Sequence, residues 1–452
     1  MKIIVPNNNI EERKYIIDIL IGEFLGLNYK VEIRECSNYE IILDDNKKLI
    51  IEDHFFKKFT NKLEYLEEKN IPDKIKLGLN KFTVEENIPI IYGTDKIVIR
   101  APITTDSLII ICGIDIFASA FFMLTRWEEY VNMTRDKHNR FPATASLAYK
   151  NNFLDRPIVN EYVEMLWNML AFLGCKQKRK KKEFKFILTH DIDHAYKYKN
   201  IGSCIREIIG DILKRKSLNL AFKNLRKQIL TKLGKLKDPF DTYDYLIDIS
   251  EELGIKSYFF LHSSGSSKFD NNNDKFLRKI SQKILSRGHY VGYHPSYNAY
   301  NNLDLFLKDK EKIENIVGQK LTFGRQHYLR FEIPTTWRLW EEAKMEWDST
   351  LGYADREGFR CGTCYEYSPF DIINRRRLKL KEKPLIAMES SFVYQLNVTP
   401  QYMEKKIQNL IDRTRKYNGE FVFLWHNSSF NTHFWQNFGS VYKAVLLNAM
   451  KN

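Results

Sequence analysis

The run Phe184-Lys185-Phe186-Ile187-Leu188-Thr189-His190-Asp191-Ile192-Asp193 decides the fold. A short apolar stretch that opens onto two acids reads as a buried β-strand with chemistry at its carboxyl end. Side chains along a strand alternate between faces, so Asp191 and Asp193 project together, about 7 Å apart along the backbone. Two more apolar runs end on imidazoles: Gly288-His289-Tyr290-Val291-Gly292-Tyr293-His294 and Glu420-Phe421-Val422-Phe423-Leu424-Trp425-His426. A lone Asp-x-Asp or a lone histidine is most often a loop or packing residue. Three such groups at strand ends have the layout of a metal-assisted hydrolase, because α/β sheets and barrels put their chemistry there.

Outward from this strand, similar runs recur at Ser257–Leu261, Tyr290–Tyr293, Leu321–Arg325, Glu346–Ser349, Leu385–Met388 and Phe421–Trp425. Helical patterns at Thr242–Leu253, Asp274–Arg287, Thr335–Lys344 and Pro400–Tyr417 lie between them. Strand-then-helix repetition implies an α/β fold on a parallel sheet of seven strands. The chain divides into residues 1–175, a basic linker at 176–183, and a catalytic part at 184–452. In the first part, short alternating segments (Tyr29–Arg34, Tyr39–Leu43, Ile88–Tyr92, Lys96–Arg100) interleave with helical ones (Glu11–Phe24, Lys57–Glu68, Asn160–Phe172). That part reads as an α/β or α+β domain without a catalytic motif.

From Phe184 onward the chain resembles the polysaccharide deacetylases of the nodulation chitooligosaccharide deacetylase type, carbohydrate esterase family four. The resemblance implies an irregular, incompletely closed seven-stranded β/α barrel. It makes Asp191 the catalytic base and Asp193 a metal ligand. Gly288 to His294 looks like the lead-in to the second motif, with His294 as the first metal histidine. The second histidine of that motif falls four residues on, where this chain has Asn298. Gly324-Arg325-Gln326-His327-Tyr328 resembles the third motif, with His327 in place of proline and Arg325 orienting the base. Asp348 to Tyr353 and Gly358 to Gly362 look like the fourth region. Leu424-Trp425-His426 matches the fifth, with His426 as general acid. Tyr328, Arg330, Arg360 and Trp425 are expected on the substrate side. Asp115 to Tyr130, with Asp136 to Ala143 following, is similar to an uncharacterised domain that precedes such deacetylases in bacterial surface-polysaccharide gene clusters.

The residue types suit the reaction. An amide has a weak electrophile and a poor leaving group. A divalent metal polarises its carbonyl and lowers the pKa of bound water from about 15.7 towards 7. Asp191 would accept the water's proton and His426 would give one to the departing amine, participation worth about 10²–10⁴ in rate. Carboxylate with imidazole suits zinc, with cobalt, nickel or iron as alternatives. For the third ligand, Asn298, His327 or an added water stay open. His190, His194, His262 and His289 are further candidates, although alternation turns His190 and His289 away from the acids. A site that has lost its metal is the remaining alternative and would make the protein a catalytically inactive glycan binder.

The expected activity is removal of an N-acetyl, or secondarily an O-acetyl, group from a sugar in bacterial surface-polysaccharide synthesis. Composition fits a large two-domain protein of 452 residues, 44% of them hydrophobic. Six scattered cysteines indicate a reducing compartment. With no basic-then-apolar leader at Met1–Asn7, the expected location is cytoplasmic, with a nucleotide- or lipid-linked sugar as partner. Cys361-Gly362-Thr363-Cys364 has no second pair to build a zinc site and reads as a structural or substrate-side loop. The apolar stretch Ser107–Leu124 is interrupted by Asp115 and reads as a strand to Ile111, a turn at Gly113 and a helix capped by Asp115, not a membrane span. Arg126-Trp127-Glu128-Glu129 would continue that helix on its solvent side. The net charge is +14. Much of it lies in Lys176–Lys182, read as a solvated linker, and between Lys197 and Lys237. There Cys204–Arg215 has amphipathic spacing, expected to pack on the barrel, with an anionic membrane surface or an acidic glycan as the functional reading. No motif accompanies these charges that would indicate nucleic acid.

Overall fold

The computed structural model describes the whole chain except residues 102–106, 199–200, 263–272, 436 and 452, and the side chains of 201, 203, 204 and 395. The Cys204 side chain, one of the six cysteines, therefore lies outside the described residues.

The N-terminal part contains β1 (Lys2–Pro6), β2 (Lys30–Arg34), β3 (Asn38–Asp44), β4 (Lys47–Glu52), β5 (Lys76–Gly78), β6 (Ile88–Ile90), β7 (Gly93–Arg100) and β8 (Leu108–Ile114). Six of them form one mixed sheet in the order β2-β1-β3-β4-β8-β7, while β5 and β6 pair as a separate ribbon. β1 and β4 were not anticipated, since each offers only three consecutive large apolar residues and becomes a strand through its neighbours. The helix expected at Lys57–Glu68 is absent apart from the single turns Phe56–Lys58 and Glu68–Asn70. Phe55, Phe56, Phe59 and Tyr65 are buried there in an aromatic cluster, and tertiary packing overrides local propensity.

The segment around Asp115 follows the expected order with two corrections. Asp115 caps the helix Ile116–Thr125, its Oδ1 accepting the Ala118 amide at 3.0 Å. However, β8 runs through Gly113 to Ile114 without a turn at the glycine. Arg126 then takes a left-handed φ of 53° and ends the helix, and Arg126, Glu128 and Glu129 are buried instead of solvated.

The C-terminal part supplies β9 (Lys185–Ile192), β10 (Tyr258–Leu261), β11 (Tyr290–Tyr293), β12 (Phe323–Gly324), β13 (Trp347–Asp348), β14 (Phe370–Asp371), β15 (Arg376–Arg377), β16 (Lys381–Glu382), β17 (Leu385–Met388) and β18 (Glu420–Leu424). β14 and β15 pair as a small ribbon. The other eight form one all-parallel sheet in the order β16-β13-β12-β11-β10-β9-β18-β17. Helices cover its strands, which is why the strands read as nearly continuous apolar runs. Eight strands, not seven, arise because one segment is broken at Lys383-Pro384, where proline has no amide to donate. β16 pairs with one edge of the sheet and β17 with the other, so two residues of chain join the edges where no hydrogen bonds do.

One close approach positions the site. A Cβ on Gly324 would lie 1.8 Å from the Tyr293 carbonyl oxygen, so only glycine lets β12 run against β11 there. Arg325 follows, its amide bonded to the same Tyr293 oxygen at 3.1 Å, beside His294.

The two parts share a continuous core that runs from Ile3 to Ala449. Tyr15 packs at a tilt against Phe370 with ring centroids 4.7 Å apart, and its hydroxyl donates to the Ser368 carbonyl at 2.9 Å.

Candidate active site

Strand polarity brings the ends of β9, β11, β12 and β18 to one mouth. It opens on a cavity of about 490 Å³ lined by, among others, Asp191, Asp193, His294, His327, Glu389 and His426, a volume usual for small-ligand sites.

Asp191 is nearly buried, and its Oδ1 accepts Arg325 Nη1 at 3.0 Å. Arg325 is itself fully buried. Three further N–H groups donate to Thr189 Oγ1 (2.9 Å), the Ser349 carbonyl (2.8 Å) and Ser349 Oγ (3.1 Å). Ser349, in the fourth sequence region, thus holds the arginine that holds the carboxylate.

Asp193 turns its oxygens to three imidazoles. Oδ1 lies 3.3 Å from His294 Nε2 and 3.6 Å from His327 Nε2, and Oδ2 lies 3.6 Å from His426 Nε2. Burial works against the Asp193 carboxylate, yet His327, His294 and His426 outweigh it and hold its carboxyl well below the usual range. Asp193 Oδ1 is buried and has no hydrogen-bond partner. His294 Nδ1 donates to the Arg325 carbonyl at 2.6 Å, a bond that leaves the Nε2 lone pair facing this oxygen. Two acceptor atoms 3.3 Å apart require a cation between them, a proton or a metal. The donor set therefore fits a divalent ion.

Asp193, His262 and His327 also each bring a ligand atom within 4.8 Å of the others. His262 Nε2, however, lies 3.1 Å from the Asp193 carbonyl oxygen, to which it donates, and its ring stacks on His327 at 4.8 Å. It is better placed to support the site than to ligate, so His294 fits the third ligand position better.

His426 faces the mouth from the other side. Its Nδ1 donates to Glu389 Oε1 at 2.6 Å, and Ser429 Oγ donates to the same oxygen at 2.7 Å. Burial opposes charge on His426, but Glu389, then Asp193 and Asp191, push it up to about 10. The imidazolium, the form a general acid needs, is then the one present at neutral pH. Sequence reasoning missed Glu389, although its signal, an acid directly after the apolar strand β17, is the one that singled out Asp191.

Several expected positions lie elsewhere. Asn298 Oδ1 accepts Arg330 Nη1 at 3.3 Å and does not join the donor cluster. Arg330 is sandwiched between Tyr297 and Tyr300 at 4.1 and 3.9 Å and donates to the His138 carbonyl, so it braces a loop. Arg360 is buried against Glu129 of the N-terminal part. Trp425 is buried among Phe430, Trp435 and Tyr442, on the face opposite His426 as strand alternation requires. Tyr328 does line the cavity, with a left-handed φ of 61°. His190 donates to the Trp425 carbonyl at 2.7 Å, and His289 Nδ1 accepts the Ser257 amide at 3.1 Å, so both are structural. Cys361 and Cys364 are buried and unpaired with each other, and burial pushes the Cys361 thiol up to about 12, away from the thiolate form.

The N-terminal part also reaches the cavity. Lys137, His138 and Arg140 line its wall, held by His138 Nδ1 to the Tyr297 hydroxyl (3.0 Å), Asn139 to the Tyr300 hydroxyl (2.9 Å) and Arg140 to the Tyr328 carbonyl (2.9 Å).

Residues 1–174 match the model of a family of unknown function, DUF7033. The curated proteins contain no match. Among solved structures, the chain is similar to a putative polysaccharide deacetylase from Mycobacterium smegmatis (14% identity, 60% of this chain and 85% of that one, TM-score 0.38). It is also similar to a family 4 carbohydrate esterase from Streptomyces lividans in complex with acetate (10% identity, 46% and 83% covered, TM-score 0.26). A further similarity is to a CE4 family pseudoenzyme from Bacillus anthracis (11% identity, 59% and 61% covered, TM-score 0.28).

Proposed function

We propose that this protein is a metal-dependent deacetylase that hydrolyses an N-acetyl, or secondarily an O-acetyl, group on a sugar. The observation that carries the reading is the buried Asp193 Oδ1, with no hydrogen-bond partner and His294 Nε2 facing it at 3.3 Å, set between a carboxylate and an imidazole placed for opposite proton tasks. Asp193, His294 and His327 would hold the divalent ion, zinc by ligand type. Bound there, it would polarise the acyl carbonyl and make a water molecule more acidic. Arg325 donates to Asp191 and would hold its carboxylate in place to accept the water's proton. Glu389 fixes His426 as the imidazolium, ready to protonate the leaving amine from the other side.

The sequence resemblance supplies the setting, bacterial surface-polysaccharide synthesis, and to it we add a nucleotide- or lipid-linked sugar on the cytoplasmic side. Five described cysteines are all free, which accords with a reducing compartment. The rival reading, a glycan binder without catalysis, is separated by metal analysis of the purified protein together with acetate release from N-acetylated amino sugars. Stoichiometric metal and acetate release are expected. Sugar binding with neither would establish the rival.

Glu389→Gln tests the proton donor. Without the carboxylate charge the His426 pKa falls, so its protonated fraction at alkaline pH falls too. The alkaline limb of the kcat profile should move down by about 1–3 pH units, with metal content unchanged. An unmoved limb would assign the proton to another group.

A further inference from the structure

We infer that the helical hairpin Ile201–Leu213 and Leu218–Lys232, inserted between β9 and β10, is a docking element for anionic lipid bilayers. Its burial pattern is inverted. Asp211, Ala221, Asn224 and Gln228 are buried, Asn224 Nδ2 donating to Asp211 Oδ2 at 2.7 Å between the two helices. The large apolar side chains face out instead, with Leu213, Leu218 and Phe222 at 70%, 73% and 74% exposure. Leu218, Phe222, Leu225 and Ile229, all exposed, follow at four- and three-residue steps and make one stripe along the second helix. Water does not favour such an arrangement, and a contiguous apolar face of this kind marks an interaction site. The expected packing on the barrel is therefore not what these helices do with that face.

Charge identifies the occupant. Residues 201–237 hold ten Lys and Arg against two acids, Glu207 and Asp211, which is more than half of the chain's net +14. The second helix, Leu218–Lys232, contains no acid at all. An apolar stripe flanked by lysine and arginine matches the boundary between acyl chains and anionic headgroups. A second copy of the same hairpin would bring like charge against like. No helix among the described residues is long and apolar enough to cross a membrane, so contact would be at the surface.

The hairpin also sits where docking would matter. The Asp238 carboxylate accepts the amides of Lys197 and Tyr198 at 2.8 and 3.1 Å and closes the hairpin's base. His194 and Phe240, beside that base, line the catalytic cavity. A surface held by the hairpin would lie at the cavity's rim.

The test is sedimentation of the full chain with vesicles of phosphatidylcholine alone and of phosphatidylcholine with one-third phosphatidylglycerol. Binding to the anionic vesicles at least tenfold above the neutral ones, weakened by salt, is expected. The double variant Phe222→Asp, Leu225→Asp should lose it at an unchanged unfolding midpoint, since both side chains are exposed. Phe222→Trp should show emission shifted to the blue on addition of anionic vesicles, beyond any change in wild type. Equal or no sedimentation with the two vesicles overturns the proposal. So does a concentration-dependent dimer that the double variant abolishes without any vesicle binding, which would assign the stripe to a second copy.

Discussion

On the proposed deacetylase reading, Asp191→Asn is expected to lower acetate release about 10²–10⁴-fold with metal content unchanged. The neutral amide still fits between Arg325 and the cavity, but it cannot accept a proton. His327→Ala should do the reverse: metal content falls, and activity falls with it. The imidazole of His327 lies 3.6 Å from Asp193 Oδ1, whereas Asn298 is engaged with Arg330. Asn298→Ala should therefore leave metal stoichiometry intact. Metal analysis and steady-state kinetics on the three variants separate base from ligand from bystander. Loss of metal in Asn298→Ala, with retention in His327→Ala, would reassign the third ligand to the asparagine.

Glu129→Gln is expected to destabilise the protein by about 3–5 kcal/mol, the usual cost of removing one partner from a buried charge network. Glu129 accepts Arg126 Nε and Arg360 Nε, each at 2.9 Å, and all three side chains are buried. Burial works against the Glu129 carboxylate, but Arg360 and Arg126 hold its carboxyl below the usual range. Without its charge, two guanidinium groups remain buried with only Glu128 beside Arg126. Arg126 also donates to the Tyr353 hydroxyl at 3.1 Å, and Arg360 to the Gly352 carbonyl at 2.8 Å, so the network joins the N-terminal part to the barrel. The denaturation midpoint in urea reads the effect. A shift no larger than that of an exposed pair such as Lys69–Glu67 would show the network to be dispensable. Arg360→Lys should not substitute, because one ammonium cannot make the planar contacts to both Glu129 and Gly352.

Most of the barrel is legible in local pattern. β11 and β17 have the expected bounds, and β9 and β18 differ from expectation by one to three residues at their ends. Buried parallel strands are short apolar runs, and residues at their carboxyl ends share a mouth whatever the intervening helices do. Asp191, Asp193, His294, Arg325 and His426 could therefore be placed together before any contact was known. β16 and β17 read as fewer strands because the break at Pro384 leaves β16 only two residues long, too short to show a period.

Chain chemistry alone thus determined the parallel α/β architecture and the residue types at one mouth, since periodicity and strand-end position are local properties. Tertiary structure alone decided that His327 stands by Asp193 where Asn298 does not, and that Glu389 orients His426. It also decided that Arg360 pairs with Glu129 of the N-terminal part and that a loop near Lys137 walls the cavity. Each of these depends on which distant segments touch, and side-chain spacing along a chain carries no record of that.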